Sequence, residues 1–246
     1  MKILFLGTGT STGIPQIGCR CKVCRSTDKK DNRLRASVLI TEGTTQILID
    51  CGPDLRQQLL THGVNRLSAI LLTHEHYDHV GGLDDVRPLG EAQLYAEKKV
   101  LNVIQRNMPY CFGENTYPGV PRIHLHQIDE KEFQIENIKV QPIRVMHAKL
   151  PILGYRFGNI AYLTDVKTIE DNAIEQLQNL DVLVLNALRI NEHISHLSLK
   201  EAIGMAKKIG ARETYFTHMS HDMGLHDEVN QILPDHIQLA YDGLKI

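Results

Sequence analysis

Short apolar runs alternate with polar, glycine-containing segments along the whole chain, and their spacing predicts many strands and few helices. Runs of about four to eight apolar or β-branched residues with flanking turn residues are typical of strands. The strand-like runs are 2–6, 36–41, 46–50, 67–73, 93–96, 123–126, 133–135, 138–145, 154–157, 160–163, 182–186, 214–217 and 237–240. Segments with helical spacing lie at 53–62, 79–86, 97–106, 169–177, 198–209 and 225–233.

This order of elements predicts an α/β fold in which hairpin-rich sheets alternate with single helices in both halves. Such an order favours two sheets packed face to face with helices outside, a four-layer αββα sandwich. Residues 107–121 are rich in proline and glycine, so we expect a loop over one face. Ser198 and Glu201 have the spacing of a capping box and predict the start of the fifth helix. No repeat or linker interrupts the series, so we expect residues 1–246 to form a single domain.

Composition sets limits on partners and compartment. Of the 246 residues, 42% are hydrophobic, which is enough for a large core, and the formal net charge is −2. This balance provides no overall basic field for nucleic acid or a membrane surface, so we expect neither as a partner. The apolar start at 1–7 is too short for a signal peptide, and no stretch has membrane-spanning length. We expect a cytoplasmic protein, and a homodimer is left open.

Three imidazoles and one carboxylate lie within six residues directly after the strand-like run 67–73. They are His74, His76, Asp78 and His79. Neutral imidazoles and carboxylates suit Zn, Mn or Fe, and several ligands from one turn reduce the entropy lost in assembling a site. Three later candidates each follow a predicted strand, namely His147, Asp165 and His218. Together they supply seven ligands, so the sequence predicts a two-metal hydrolytic centre.

The cysteines predict a second kind of site. Cys19, Cys21 and Cys24 lie within six residues, in a loop at about 18–25, and the total of five cysteines is odd. An odd count in a chain without export signals argues against a disulfide framework and favours metal binding by the trio. The glycine-rich stretch 7–13 lacks the lysine of a phosphate-binding loop. We therefore interpret it as a tight turn that lets backbone approach a site.

The run Thr73 to His79 followed by Gly81-Gly82 resembles the T-H-x-H-x-D-H signature of the metallo-β-lactamase superfamily, and the resemblance covers essentially the whole chain. It implies that three residues hold one metal, namely His74, His76 and His147. It implies that three others hold the second metal, namely Asp78, His79 and His218. Asp165 would then bridge both ions. The superfamily contains several reaction types, so the fold alone does not specify the chemistry.

Three further stretches, 6–11, 49–54 and 82–87, resemble the PhnP group of cyclic phosphodiesterases. The resemblance implies a structural zinc held by a cysteine trio and a downstream histidine. Cys19, Cys21 and Cys24 match the trio, and His221 matches the histidine, with His226 as a second candidate. Three thiolates and one imidazole form a closed tetrahedral zinc site.

The predicted activity is a metal-dependent phosphodiesterase that acts on a small cyclic or nucleotide-like phosphodiester, such as a ribosyl 1,2-cyclic phosphate. Two divalent ions, Mn or Zn, lower the pKa of a bridging water, and the resulting hydroxide attacks phosphorus. The catalytic residues are predicted to be Asp78 and His196, with His196 protonating the leaving oxygen as the matching histidine of the group does. The role of His193 is left open, and Asp50 and Asp54 are expected to orient metal-bound histidines or cap a helix.

Three alternatives stay open at this point. A tRNA 3′-processing nuclease of the same superfamily would carry a long basic, glycine-rich arm, which we do not find between the ligands. A thiolester hydrolase or a lactamase is a second alternative, although the cysteine trio and the region of His196 do not favour it. A zinc-binding module without catalysis is the third, and seven ligands around two ions argue against it.

Overall fold

The structure, a computed structural model, describes residues 1–113 and 117–246. At its centre, thirteen strands of these residues form two mixed sheets. The first sheet contains β1 (Lys2–Gly7), β2 (Ser37–Glu42), β3 (Thr45–Ile49), β4 (Ala69–Leu71), β5 (Glu91–Ala96) and β6 (Arg122–Gln127), in that spatial order. The second contains β7 (Phe133–Ile135), β8 (Ile138–His147), β9 (Leu150–Phe157), β10 (Ile160–Leu163), β11 (Val182–Asn186), β12 (Glu213–Thr217) and β13 (Ile237–Leu239). Its spatial order runs from β13 to β7.

Each sheet is antiparallel at one side and parallel at the other. Strands β1 to β3 and β7 to β10 form antiparallel pairs. Strands β3 to β6 and β10 to β13 are parallel. Parallel strands end at the same edge of a sheet, and residues just beyond that edge are brought together. The residues that follow β3, β4, β10 and β12 therefore converge.

The helices cover the outer faces of the two sheets. They are α1 (Leu55–His62), α2 (Tyr77–Val80), α3 (Lys98–Asn107), α4 (Asp171–Glu175), α5 (Leu199–Ile209) and α6 (His226–Asn230). None of the helices in the described ranges combines the length and the apolar character that a membrane crossing requires.

Three apolar clusters identify the four layers. One cluster joins the first sheet to α1 and α3, for example Leu48, Leu55 and Val100. A second joins the other sheet to α4 and α5, and a third contains residues of both sheets, including Phe5 and Tyr155. A cluster between the sheets and one outside each sheet is the packing of a four-layer sandwich, so the predicted αββα fold is confirmed.

The ends of α1 and α5 follow from local chemistry. The Ser198 hydroxyl accepts from Glu201 N, and the Glu201 carboxylate accepts from Ser198 N at 2.8 Å, which confirms the predicted capping box. Helix α1 ends at Gly63, whose φ of 65° is left-handed and costs little in a residue without a side chain.

The segment predicted as one helix at 79–86 is instead the short α2 and a 3₁₀ turn at Leu83–Leu89. Gly81 and Gly82 separate the two pieces. A Cβ on Gly82 would lie 2.2 Å from the Gly52 carbonyl oxygen, so this close backbone approach requires glycine. The pattern at 79–86 was apolar enough for a helix but did not reveal this contact.

Other boundaries differ by a few residues. Helices α4 and α6 are shorter than predicted at 169–177 and 225–233. Strand β9 begins at Leu150 instead of 154, where it pairs with His147 of β8. Pro151 weakened the strand signal in the sequence. The loop predicted at 107–121 contains a 3₁₀ turn at Pro109–Cys111, and its residues 114–116 lie outside the described residues.

The glycine-rich turn at 7–13 packs against the chain itself. A Cβ on Gly7 would lie 2.0 Å from the Arg35 carbonyl oxygen, and one on Gly9 would lie 2.9 Å from that of Arg33. The close approach of this turn is thus to the backbone at 33–35, and its approach to a site stays a prediction.

Candidate metal centre

The seven predicted ligands lie together at one edge of the sandwich. His74 and His76 follow β4, Asp78 and His79 are in α2, His147 ends β8, Asp165 follows β10 and His218 follows β12. Their ligand atoms form two groups, within each of which all atoms lie no more than 4.8 Å apart. One group is His74, His76 and His147, and the other is Asp78, His79, Asp165 and His218.

The buried ring nitrogens of this centre fit a bound cation. The Nε2 atom of His79 lies 3.2 Å from carboxylate oxygens of Asp78 and Asp165, and His218 Nε2 lies 3.2 Å from Asp165. Neither nitrogen has a hydrogen-bond partner within the described part of the chain. Buried polar atoms almost always have a partner. Nitrogen and carboxylate atoms that face one another without hydrogen bonds are therefore suited to share a metal ion.

Asp50 orients two of these imidazoles, one directly and one through the Thr73 hydroxyl. Its carboxylate accepts a hydrogen bond from His79 Nδ1 at 2.7 Å and another from the Thr73 hydroxyl at 2.9 Å. Because the Thr73 hydroxyl donates to Asp50, its oxygen accepts from His74 Nδ1 at 3.0 Å. In their neutral forms, both rings are thereby held with the hydrogen on Nδ1, which leaves Nε2 free to bind a metal.

A backbone carbonyl orients the ring of His147 in the same way. His147 Nδ1 lies 2.9 Å from the carbonyl oxygen of Ser195, to which it donates. The loop at 188–197 thus fixes a residue of β8, and Nε2 of His147 is left available as a candidate ligand atom.

Three residues of the centre have backbone angles that are rare outside glycine. The φ angles are 60° at Asp50, 58° at Asp165 and 58° at His218. Each follows the last residues of a strand, so the left-handed turn directs the side chain across the sheet edge towards the centre. The Gly52 backbone also approaches Asp78 closely, since a Cβ there would lie 2.1 Å from the Asp78 carbonyl oxygen.

Burial and the surrounding charges shift the pKa values of the central residues in opposite directions. Burial raises the pKa of Asp165, but the facing His218 and His79 lower it well below its ordinary value. Burial lowers the pKa of His79, but the carboxylates of Asp165, Asp50 and Asp78 raise it well above its ordinary value. These carboxylates thus give the centre a strong preference for positive charge, which a divalent cation would satisfy.

His196 lies beside this centre. Its Nε2 is 3.0 Å from Asp165 Oδ1, and its ring stacks on His218 with the centroids 5.1 Å apart. His193 lies on the outer side, with its Nδ1 atom 3.2 Å from His196 Nδ1. Burial lowers the pKa of His196 to about 4, although Asp165 raises it. The side chains of His193 and Ser195 thus hold the ring of His196 with Nε2 directed at the centre.

The predicted cysteine site is also assembled. His221 Nδ1 lies 3.1 Å from Cys19 Sγ, 3.7 Å from Cys21 Sγ and 3.4 Å from Cys24 Sγ. The backbone N–H of Cys24 lowers the pKa of the Cys21 thiol to about 7, which favours the thiolate that binds metal. One nitrogen surrounded by three sulfurs is the donor set of a closed zinc site.

His226, the second candidate for the fourth zinc ligand, lies elsewhere. It is buried, with Nδ1 3.2 Å from Arg33 Nη2 and Nε2 2.9 Å from Asn230 Nδ2. Both of its ring nitrogens are engaged, so the structure places His221 and not His226 with the cysteines.

Sequence reasoning missed the orienting contacts of Thr73 and of the Ser195 carbonyl. Thr73 could have been noticed because it precedes His74 in the motif, but a backbone carbonyl leaves no signal in a sequence. The prediction that Asp50 orients a histidine agrees with its contacts. The prediction that Asp54 caps a helix is wrong, because its side chain makes no cap hydrogen bond to α1 and instead binds Arg35 at 3.0 Å.

Known proteins resemble this chain in sequence and fold. A family model described as "Beta-lactamase superfamily domain" matches residues 45–219. The octanoyltransferase of Porphyromonas gingivalis (strain ATCC BAA-308 / W83) is 47% identical over 251 residues, which cover 100% of this chain and 51% of that protein. The chain thus spans about half the length of this curated relative.

Two solved structures have the same architecture. A diphosphatase from the PhnP family has a TM-score of 0.94 and 42% identity, covering 100% of this chain and 96% of that chain. The Zn²⁺-bound PqqB from Methylobacterium extorquens has a TM-score of 0.84 and 19% identity, with 100% and 99% covered, a similarity of fold. The match to the family model and the identity to the PhnP-family structure agree with the predicted resemblance. The chain belongs to the metallo-β-lactamase superfamily, in its PhnP-like group.

Proposed function

We propose that the chain is a dinuclear-metal phosphodiesterase that hydrolyses a small cyclic or nucleotide-like phosphodiester, such as a ribosyl 1,2-cyclic phosphate. The observation that carries this proposal is that the two predicted ligand groups lie side by side. The ring centroids of His74, in the first group, and His79, in the second, are 4.3 Å apart. Ligands from both sheets meet here, which supports the further proposal that residues 1–246 act as one hydrolase domain.

Each ligand group would hold one divalent ion, Mn or Zn. His74, His76 and His147 would hold the first, and Asp78, His79 and His218 the second, with Asp165 between them. When bound, a pair of such ions lowers the pKa of a water molecule and withdraws charge from a phosphoryl oxygen. The cysteine trio and His221 would hold one structural zinc away from the chemistry.

The chain itself contributes orientation and a hydrogen-bond donor. Asp50 and Thr73 hold His74 and His79 with Nε2 directed inward, and Ser195 does the same for His147. Burial lowers the pKa of His196 to about 4, so the ring is neutral, and we assign to it a hydrogen bond from Nε2 to the leaving oxygen. The Ser195 hydroxyl lies 3.0 Å from His196 Nδ1 and can donate to it, which leaves the ring hydrogen on Nε2, on the side of Asp165.

A diphosphate ester is the second candidate substrate. The PhnP-family structure with 42% identity is named a diphosphatase. Hydrolysis of a diphosphate and of a phosphodiester both break a phosphorus–oxygen bond, and the same arrangement of ligands would serve either one.

The test is turnover of bis(p-nitrophenyl) phosphate by the Mn-loaded protein. We expect Asp165→Ala to lower kcat/KM by more than about 100-fold, since loss of even an outer partner of a ligand costs about 10–100-fold. Asp171→Ala is the matched control, because Asp171 is an exposed carboxylate that pairs with Lys208 on the surface. Full activity in Asp165→Ala would contradict the two-metal proposal.

A substrate panel then separates the alternatives. It contains cyclic ribosyl phosphates, cyclic nucleotides, a diphosphate ester, short RNA with a tRNA 3′ end, and octanoyl-coenzyme A. The last compound tests the thiolester alternative. It also tests octanoyl transfer, the activity for which the P. gingivalis relative is named, a protein about twice as long as this chain. We expect turnover of the small phosphate esters and none of the thiolester or the RNA.

A further inference from the structure

Tyr77 stands between two residues of the centre, His76 and Asp78, and is 71% exposed. Its ring nevertheless has a defined place. A Cβ on Gly81 would lie 2.8 Å from two atoms of this ring, so the ring lies directly over the Gly81 backbone. An exposed aromatic ring is common on protein surfaces, but one that is seated on a glycine beside a metal centre offers a fixed flat surface.

A second tyrosine faces the same cleft. Tyr110 is 45% exposed, and its hydroxyl donates to Asp84 Oδ1 at 3.0 Å, while Arg87 Nη2 donates to both oxygens of that carboxylate at 2.8 Å. Burial, followed by the hydrogen bond to Asp84, raises the pKa of Tyr110 to about 12, so this hydroxyl stays a donor. The Asp84 contacts therefore keep the second ring in position.

The cleft between these rings has a volume of about 160 Å³ and an apolar floor. Its lining includes Tyr77, Val80, Gly81, Asp84, Met108 and Tyr110. A pocket for a whole small ligand usually measures about 300–1,000 Å³. At about half the lower bound of that range, this cleft would take only one part of a substrate, such as a planar ring, with the phosphate at the neighbouring centre.

We propose that Tyr77 and Tyr110 line a subsite for the planar base of a nucleotide-like substrate, a proposal that rests on the proposed function of the adjacent centre. Every base has a π-face that stacks on tyrosine, and the Asp84 carboxylate at the rim can accept hydrogen bonds from amino or hydroxyl groups. A substrate made only of a sugar and phosphate would leave this cleft unused.

The test compares the binding of adenosine 5′-monophosphate with that of ribose 5-phosphate by isothermal titration calorimetry of the Mn-loaded protein. The two probes share a ribose and a 5′-phosphate and differ in the base. We expect the wild type to bind the nucleotide about 5- to 150-fold more tightly. This ratio corresponds to the free energy of about 1–3 kcal/mol that stacking of a base on one aromatic ring contributes.

Tyr77→Ala should remove this preference while affinity for ribose 5-phosphate is unchanged, and Tyr77→Phe should keep it. Leu60→Ala is the control, since Leu60 is a similarly exposed side chain (65%) on α1. Equal binding of the two probes by the wild type, no binding of either, or a preference that persists in Tyr77→Ala would each overturn the subsite.

The same preparations are assayed with bis(p-nitrophenyl) phosphate, which distinguishes the two proposals. Hydrolysis without a preference for the nucleotide means that the base subsite is wrong and the proposed function stands. A preference that Tyr77→Ala removes, without hydrolysis of any diester, means that the subsite stands and the proposed function is wrong.

Discussion

Replacement of Asp50 by asparagine should weaken metal binding although Asp50 is not itself among the predicted ligands. One carboxylate oxygen accepts from Thr73 N at 2.8 Å, and the other accepts from His79 Nδ1 at 2.7 Å. An asparagine that keeps its oxygen on Thr73 N turns its NH₂ group towards His79 Nδ1, where two donors then face each other. The His79 ring can relieve this only by moving its hydrogen to Nε2, the atom that would bind metal.

The size of the effect follows from this change of tautomer. Loss of an outer partner of a metal ligand typically lowers metal affinity by about 10–100-fold. At about 1.36 kcal/mol for each factor of ten, this corresponds to about 1.4–2.7 kcal/mol of binding free energy. The assay is a calorimetric titration of the metal-depleted protein with Mn²⁺, and the variant should show a weaker dissociation constant with the same fold by circular dichroism.

Asp54→Asn is the matched control for this experiment. Asp54 lies four residues further along, and its side chain binds Arg35 and makes no hydrogen bond to a predicted ligand in the described residues. An unchanged Mn²⁺ dissociation constant in Asp50→Asn, or an equal loss in Asp54→Asn, would refute the reasoning from the His79 tautomer.

Three further predictions concern the zinc site, a helix cap and pH. Cys21→Ser should lower bound zinc per chain and the midpoint of thermal unfolding, whereas Cys111→Ser should keep the zinc; elemental analysis showing equal zinc in both variants would contradict the structural site. Ser198→Ala removes the capping box of α5 and should lower the free energy of unfolding by about 1 kcal/mol, measured with urea; an unchanged midpoint would count against it. Burial raises the pKa of Asp242 to about 6, so the folded state binds its proton more tightly than the unfolded state does. The stability it contributes is complete below the ordinary aspartate pKa and is lost as pH rises through about 6, and Asp242→Asn should flatten that slope in the free energy of unfolding between pH 4 and 7.

Much of the fold could be predicted because its signals are local. Strand β11 is apolar from Val182 to Leu185 and α5 begins with a capping box, so both elements were predicted to within one residue of their ends. The end of α2 depends instead on the approach of Gly82 to Gly52, thirty positions away in the sequence, and no local pattern reports such a contact.

The candidate site likewise combines residues with a local sequence signal and residues without one. Four predicted ligands, His74, His76, Asp78 and His79, are indicated by their spacing alone. The other three predicted ligands, His147, Asp165 and His218, lack such spacing and were predicted because each ends or follows a strand and matches a family position. The contact of the Ser195 carbonyl with His147 and the packing of the Tyr77 ring on Gly81 leave no pattern in the sequence, so only the structure reveals them.

The left-handed angles at Asp50, Asp165 and His218 have an evolutionary consequence. Backbone conformations that are rare for a residue type cost about 1 kcal/mol or more each, and the rest of the fold must offset them. Substitution of these positions by glycine would relieve the unfavourable angle and remove the functional side chain in the same step. Selection for thermal stability alone would therefore favour inactive sequences at these three positions, and their persistence depends on selection for activity.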